Sequence, residues 1–139
     1  MKLCVFTLLS WMQLIQAYCI YNKHTDGAVV QIRQKGNTAA SITKRFRKNI
    51  SAGEKECCSW QTLDCCASEQ PFDPVVFEVV QCFPGWTSPQ YEVTGVVGGS
   101  LVFHGNERDN WIDGYDNENN HFVPKLEFAK SRDFSGNGN

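Results

Sequence analysis

After its first fifteen residues the sequence has no apolar run long enough to span a bilayer, which takes roughly 20 apolar residues. Histidine is scarce: His24, His104 and His121 are the only three, and none sits in a His-Glu-x-x-His pattern. There is no phosphate-binding loop and no dinucleotide fingerprint. Ser100 follows Gly98-Gly99 but lacks the Gly-x-Ser-x-Gly context of a hydrolase nucleophile elbow. These absences remove the readable forms of zinc protease, nucleotide-dependent and serine-hydrolase chemistry. The C-terminal Ser135-Gly136-Asn137-Gly138-Asn139 is polar and carries neither a lipid-anchor tail nor an ER-retention signal, so a released, soluble product is expected.

The N-terminus supplies a compartment. Met1-Lys2 places one positive charge ahead of an apolar stretch from Leu3 through Ile15, and Gln16-Ala17-Tyr18 follows. A charged start, a short apolar core and a small exit residue predict a secretory signal over residues 1–17 with cleavage after Ala17. The expected organisation is a signal peptide at 1–17, one secreted β domain at 18–130 and a flexible tail at 131–139.

Export changes the cysteine arithmetic. Cys4 leaves with the signal, and Cys19, Cys57, Cys58, Cys65, Cys66 and Cys82 remain. An even count in an exported chain predicts three disulfides, with 15 possible connectivities. Neighbours within the doublets Cys57-Cys58 and Cys65-Cys66 rarely bridge each other, because the small ring distorts the peptide between them. Six thiolates holding zinc would suit a reducing compartment and usually recruit histidine, which this segment lacks. No metal and no cofactor is therefore expected.

Charge is divided along the chain. Residues 18–55 carry eight Lys and Arg against Asp26 and Glu54, a net +6, whereas residues 56–139 carry four against thirteen Asp and Glu, a net −9. Mutual neutralisation of the two halves across a sandwich is the simpler expectation. A basic patch at Lys44, Arg45, Arg47 and Lys48 meeting an anionic partner is the sharper one. Only Phe46 interleaves that run, which does not favour a nucleic-acid partner.

The periodicity is that of strands. Ala28, Val30 and Ile32 share one face against Gln31 and Arg33 on the other. A short strand at Tyr18 to Tyr21 leads into this one through His24-Thr25-Asp26-Gly27, where Asp-Gly tolerates positive φ. Lys44 to Ile50 alternates with Phe46 and Ile50 inward, although Ile42 and Phe46 also have helical spacing. Pro74 to Phe83 is apolar on both faces, predicting a central strand covered on two sides. Gln90–Val97, Ser100–His104, Trp111–Tyr115 and His121–Phe128 complete the set, with Pro124 marking an edge or bulge. Short strands between Gly, Pro, Asn and Asp turns predict an all-β antiparallel sandwich or partly open barrel, stapled by disulfides.

The most suggestive stretch for function is Glu107 to Asn120. Asp109, Asp113, Asp116 and Glu118 offer oxygens of the kind Ca²⁺ takes, although their spacing is not that of an EF-hand. Two of these carboxylates would also serve as a glycosidase acid and base, with Trp111 and Tyr115 as stacking platforms for a sugar. The plainest reading is a solvated turn region with Trp111 packed into the core. Asn49-Ile50-Ser51 is a glycosylation sequon made usable by export, and Lys44-Arg45 is a dibasic pair.

Tyr18-Cys19-Ile20-Tyr21-Asn22-Lys23 together with Ile50-Ser51-Ala52-Gly53-Glu54-Lys55-Glu56-Cys57-Cys58 resembles small secreted fungal proteins labelled osmotin- or thaumatin-like. The resemblance takes in about the first 65 residues and, more loosely, Asp113 to Phe128. It implies a secreted β-sandwich, and in some members of that family β-glucan binding. The chain is shorter than those proteins, poorer in cysteine, and without their Arg-Thr-x-Cys and Gly-Asp-Cys landmarks, so the resemblance transfers no site residue. The expected function is a non-catalytic extracellular effector or surface-binding module, monomeric, meeting a cell-wall polysaccharide or a host protein. The alternative is a carbohydrate-binding or glucan-active protein using the 107–120 segment.

Overall fold

The computed structural model describes residues 16–35, 46–59 and 72–128. The apolar run of residues 1–15, the pair Lys44-Arg45, the doublet Cys65-Cys66 and the tail 131–139 lie outside the described residues. The described residues form ten strands: β1 Gln16–His24, β2 Val29–Gln34, β3 Arg47–Ile50, β4 Lys55–Ser59, β5 Pro74–Cys82, β6 Tyr91–Val96, β7 Ser100–Gly105, β8 Asn110–Tyr115, β9 His121–Phe122 and β10 Leu126–Phe128. They form two five-stranded sheets, β4-β1-β7-β8-β9 and β10-β6-β5-β2-β3. The architecture is a sandwich and not a closed barrel. No helix among the described residues is long and apolar enough to cross a membrane.

Side-chain alternation builds the core. From the first sheet, Tyr18, Ile20, Leu101 and Phe103 point inward and are buried; from the second, Val30, Ile32, Val75, Phe77, Val79 and Val93 meet them. Apolar burial at about 25 cal/mol per Å² supplies the main driving force. Tyr18 sets its ring edge-on to Phe77 and Phe46, at 5.0 and 5.3 Å between centroids. Its hydroxyl donates to Gln34 Oε1 at 3.0 Å, so the phenol crosses the core with its polar end satisfied. β1 begins two residues before Tyr18, with Gln16 opposite Ser59. Cleavage after Ala17 would shorten the strand by two residues but leave the buried Tyr18 in place.

Three expectations are corrected. The Asp26-Gly27 turn, with Gly27 at φ 80°, links strands of different sheets and makes no hairpin. Instead β1 pairs in parallel with β7, from Cys19 opposite Ser100 to His24 opposite Gly105, and antiparallel with β4. β5 is central in its sheet but, among the described residues, covered on one side only. Val75, Phe77, Val79 and Gln81 are buried, while Val76, Glu78, Val80 and Cys82 are half-buried on the outer face. There Arg33 pairs with Glu78 and Lys35 with Glu92, the latter at 2.7 Å, so the basic and acidic parts of the chain neutralise each other within one sheet. Finally, His121 to Phe128 is two strands. β9 closes the first sheet, buried Pro124 lies in the crossing, and β10 closes the second.

The other lateral side is built alike: β3 ends the second sheet, β4 ends the first, and only residues 51–54 join them. Both open sides of the sandwich are thus spanned by a link between consecutive edge strands. Phe46 and Ile50 are buried as expected, and Asn49 points to solvent.

Cys19 and Cys57 face each other across β1 and β4 and form a disulfide, and Cys58 is also disulfide-bonded. Cys82 is a half-buried thiol, free among the described residues, and the doublet Cys65-Cys66 that the three-disulfide expectation also needs lies outside them.

Candidate functional site

Alternation along β8 sorts the residues singled out between 107 and 120. Ile112 packs against the core and Gly114 is buried, so Trp111, Asp113 and Tyr115 face outward together. On β7, Leu101 and Phe103 face in and His104 faces out; on β1, Tyr21 and Lys23 face out. The register then lays down rows across the first sheet: Lys23, His104, Trp111 in one, and Lys55, Tyr21, Val102, Asp113 in the next. Ser100, Tyr115 and His121 make a third.

Asp113 is the centre of this face. His121 Nε2 donates to its Oδ1 at 2.8 Å, and His104 Nε2 lies 3.1 Å from its Oδ2 at ion-pair distance. The hydrogen bond from His121, helped by the His104 and His121 charges and the Trp111 side chain, holds the Asp113 carboxyl below its ordinary range against the opposing effect of desolvation. Trp111 lies flat on the His104 ring at 5.2 Å and 14°, and Tyr115 meets His121 edge-on at 5.6 Å. Lys55 lies over the Tyr21 ring. The result is a broad face of aromatic rings with one carboxylate held between two imidazoles.

The remaining acidic residues are elsewhere. Asp109 lies in the Asn106–Asp109 turn, where Asn106 Oδ1 accepts from the Arg108 and Asp109 amides. Asp116 stands beyond the far end of β8 and folds its own turn, its Oδ1 accepting from the Glu118 amide at 2.9 Å and the Asn120 amide at 2.8 Å. Those amides lower its pKa, Asn120 first. Glu118 is exposed in the same turn. Six strand residues separate Asp109 from Asp116, about 20 Å at the usual rise. Hence the segment is a strand flanked by two turns and not one carboxylate loop. Trp111 is 50 % exposed, so it is not a core residue either. Among the described residues no group of three or more His, Cys, Asp or Glu is arranged to hold a metal ion.

A second feature was not visible in the pattern of residues. Register puts Leu126 opposite Val93 and Phe128 opposite Tyr91, on the inner side of the second sheet. Yet they are 45 % and 65 % exposed, because the first sheet does not extend over them. The uncovered strip is the wall of a cleft of about 310 Å³ whose other side is made by Trp86, Glu107 and Trp111. Its floor is a closed hydrogen-bond chain. Tyr91 donates to Gln81 Oε1 at 2.6 Å, Gln81 Nε2 donates to His24 Nε2 at 2.9 Å, and His24 Nδ1 donates to the Gly105 carbonyl at 3.2 Å. This order requires neutral His24 with its proton on Nδ1. Burial lowers the His24 pKa, with His104 adding to it and the Gly105 carbonyl and Asp26 opposing; burial also pushes the Tyr91 phenol well up.

No protein-family model, no curated protein and no solved structure matches the chain.

Proposed function

We propose that the chain is a secreted, non-catalytic module that binds a surface outside the cell through the outer face of the β4-β1-β7-β8-β9 sheet. The observation that carries this reading is the alignment of Trp111, Asp113 and Tyr115 on that face, with His104 and His121 fixing the carboxylate between them. Rings already packed on neighbouring imidazoles lose little freedom when a ligand stacks on them, which favours binding. Export is supported by the apolar run of residues 3–15, and the Cys19–Cys57 disulfide is consistent with an oxidising, extracellular setting. Asn49, exposed on β3, is the glycan acceptor in this reading.

A glycan is the bound class this face favours. Pyranose rings stack their apolar faces on Trp and Tyr, and a fixed carboxylate accepts hydroxyl protons. Binding without hydrolysis is supported by the placement of the carboxylates: Asp113 is the one within β8, and Asp116 is committed to its turn. Hydrolysis by the usual route needs an acid and a base separated by about 5–10 Å.

Pull-down on insoluble β-glucan and chitin, with a glycan array for soluble ligands, tests this. The wild-type protein should be retained, and Trp111→Ala, Tyr115→Ala and Asp113→Asn should each lower retention by about two- to tenfold, the range a lost stacking contact gives. Retention by none of the glycans defeats the glycan reading, and turnover of a bound glucan defeats the non-catalytic one. Mass spectrometry of the non-reduced protein from culture medium checks export: the N-terminus should be Tyr18, with a glycan on Asn49.

A further inference from the structure

We propose that the cleft beside β10 is a separate binding site for a small, free organic cation with a methylated ammonium head. The cleft shares Trp111 with the glycan face but goes beyond it, since Trp86, Glu107 and Phe128 do not belong to that face.

The walls are aromatic and rigid. Trp86 stacks on buried Phe83 at 5.9 Å and 15°, as Trp111 stacks on His104, so each indole has one side backed by a ring while the residue remains 50 % exposed. Tyr91 forms the floor with Phe128 tilted against it at 5.7 Å. The faces of such rings carry negative quadrupole potential and attract cations.

Charge and hydrogen-bonding capacity narrow the occupant. Among the described residues Glu107 is the only charged one lining the cleft, and no Lys or Arg does. Its carboxylate has no hydrogen-bond or ion-pair partner among the described residues, and it rests against the 84–86 turn. A Cβ added at Gly85 would lie 3.3 Å from either oxygen, which places the negative charge against the residue before Trp86, in the cleft that both Glu107 and Trp86 line. The polar groups of the floor are already paired: the Gln81 amide with Tyr91 and His24, and Ser88 Oγ with the Gln81 amide and the Pro89 carbonyl. A hydroxyl-rich ligand therefore finds few partners here. A methylated ammonium needs none, because it asks only for ring faces and a nearby negative charge. At about 310 Å³ the space is at the small end for ligand sites, which fits a compact cation.

Choline is the probe, and its uncharged isostere 3,3-dimethylbutan-1-ol is the control. Tryptophan fluorescence and isothermal titration of the full exported protein at low salt should show saturable choline binding, with the isostere at least tenfold weaker. Trp86→Leu and Glu107→Gln should each weaken choline by about fivefold or more while the thermal midpoint and glycan retention stay unchanged. Asp113→Asn and Tyr115→Ala should leave choline binding intact, so failure of this site and failure of the glycan face are read separately. Equal binding of choline and the isostere overturns the proposal, as does an unaltered affinity in Glu107→Gln. So does the absence of saturation up to 100 mM choline, or binding to phosphatidylcholine vesicles without binding of free choline.

Discussion

Asn22→Ala should be among the most damaging single substitutions in the chain, although it removes no apolar surface. Asn22 is fully buried on β1, and its side chain ties the two sheets together. Nδ2 donates to the Ala28 carbonyl and to the Ile50 carbonyl, both at 2.8 Å, and Oδ1 accepts from the His24 amide at 3.0 Å. Alanine leaves three buried backbone groups short of a partner. Each such loss costs about 1–3 kcal/mol, and water entering the vacated space recovers part, so the expected loss is about 3–5 kcal/mol. Measured against a total of about 5–15 kcal/mol, that is about a fifth or more of the stability. Urea unfolding followed by tryptophan fluorescence gives the number, and the thermal midpoint should fall by about 10–20 °C. Asn22→Asp sharpens the test, since it keeps the acceptor for His24 but turns an acceptor toward two carbonyls. That carboxyl must have a raised folded pKa, so its penalty should be full at pH 7 and shrink as pH falls and the protonated group donates again. A loss below about 1 kcal/mol in Asn22→Ala, or an Asn22→Asp protein as stable as wild type at pH 7, would refute the reasoning.

Three further outcomes follow from the same geometry. Because burial lowers the His24 pKa from 6.5, its contribution is complete above pH 6.5 and is lost as pH falls through the folded value; wild type should lose more stability than His24→Gln between pH 7.5 and 5 in urea titrations. Gly105, at φ 93° with an added Cβ only 2.1 Å from the Asp109 carbonyl oxygen, should tolerate alanine far worse than Gly27, at φ 80° with open space around it. Thermal melts should show a loss of about 1–2 kcal/mol for Gly27→Ala and clearly more for Gly105→Ala. The Cys19–Cys57 bridge closes a 38-residue separation, and replacing both with serine should cost about 4 kcal/mol by the loop-entropy relation, read from denaturant midpoints.

What could be read from the sequence was local. Val30 and Ile32, Phe46 and Ile50, and Tyr91 and Val93 announce their strands because one face of each is buried and the other is not. The partner of each strand is not encoded that way. The parallel pairing of β1 with β7 joins segments about eighty residues apart, and nothing in Tyr18–His24 distinguishes it from an antiparallel pairing. For the same reason Trp111, Asp113 and Tyr115 were recognisable as a set, whereas His104 and His121 were not recognisable as the partners of Asp113. The cleft was hidden for another reason: Leu126 and Phe128 have the spacing of ordinary inward residues, and their exposure depends on where the opposite sheet stops. Trp86 follows a Pro-Gly turn and looks like loop punctuation until Phe83 is seen beneath it.

The links between consecutive edge strands bear on self-association. Among the described residues the four outermost strands, β3, β4, β9 and β10, have four, five, two and three residues, against six to nine in every other strand. An intruding chain therefore finds only a few backbone groups to pair with on any border, which is how natural sheets discourage fibril growth. Because one link guards two borders at once, a single proteolytic nick at 51–54 or at 123–125 would loosen a border on both sheets of the same molecule. The unit left behind would have two sticky margins on one flank, the geometry from which polymers of strands grow.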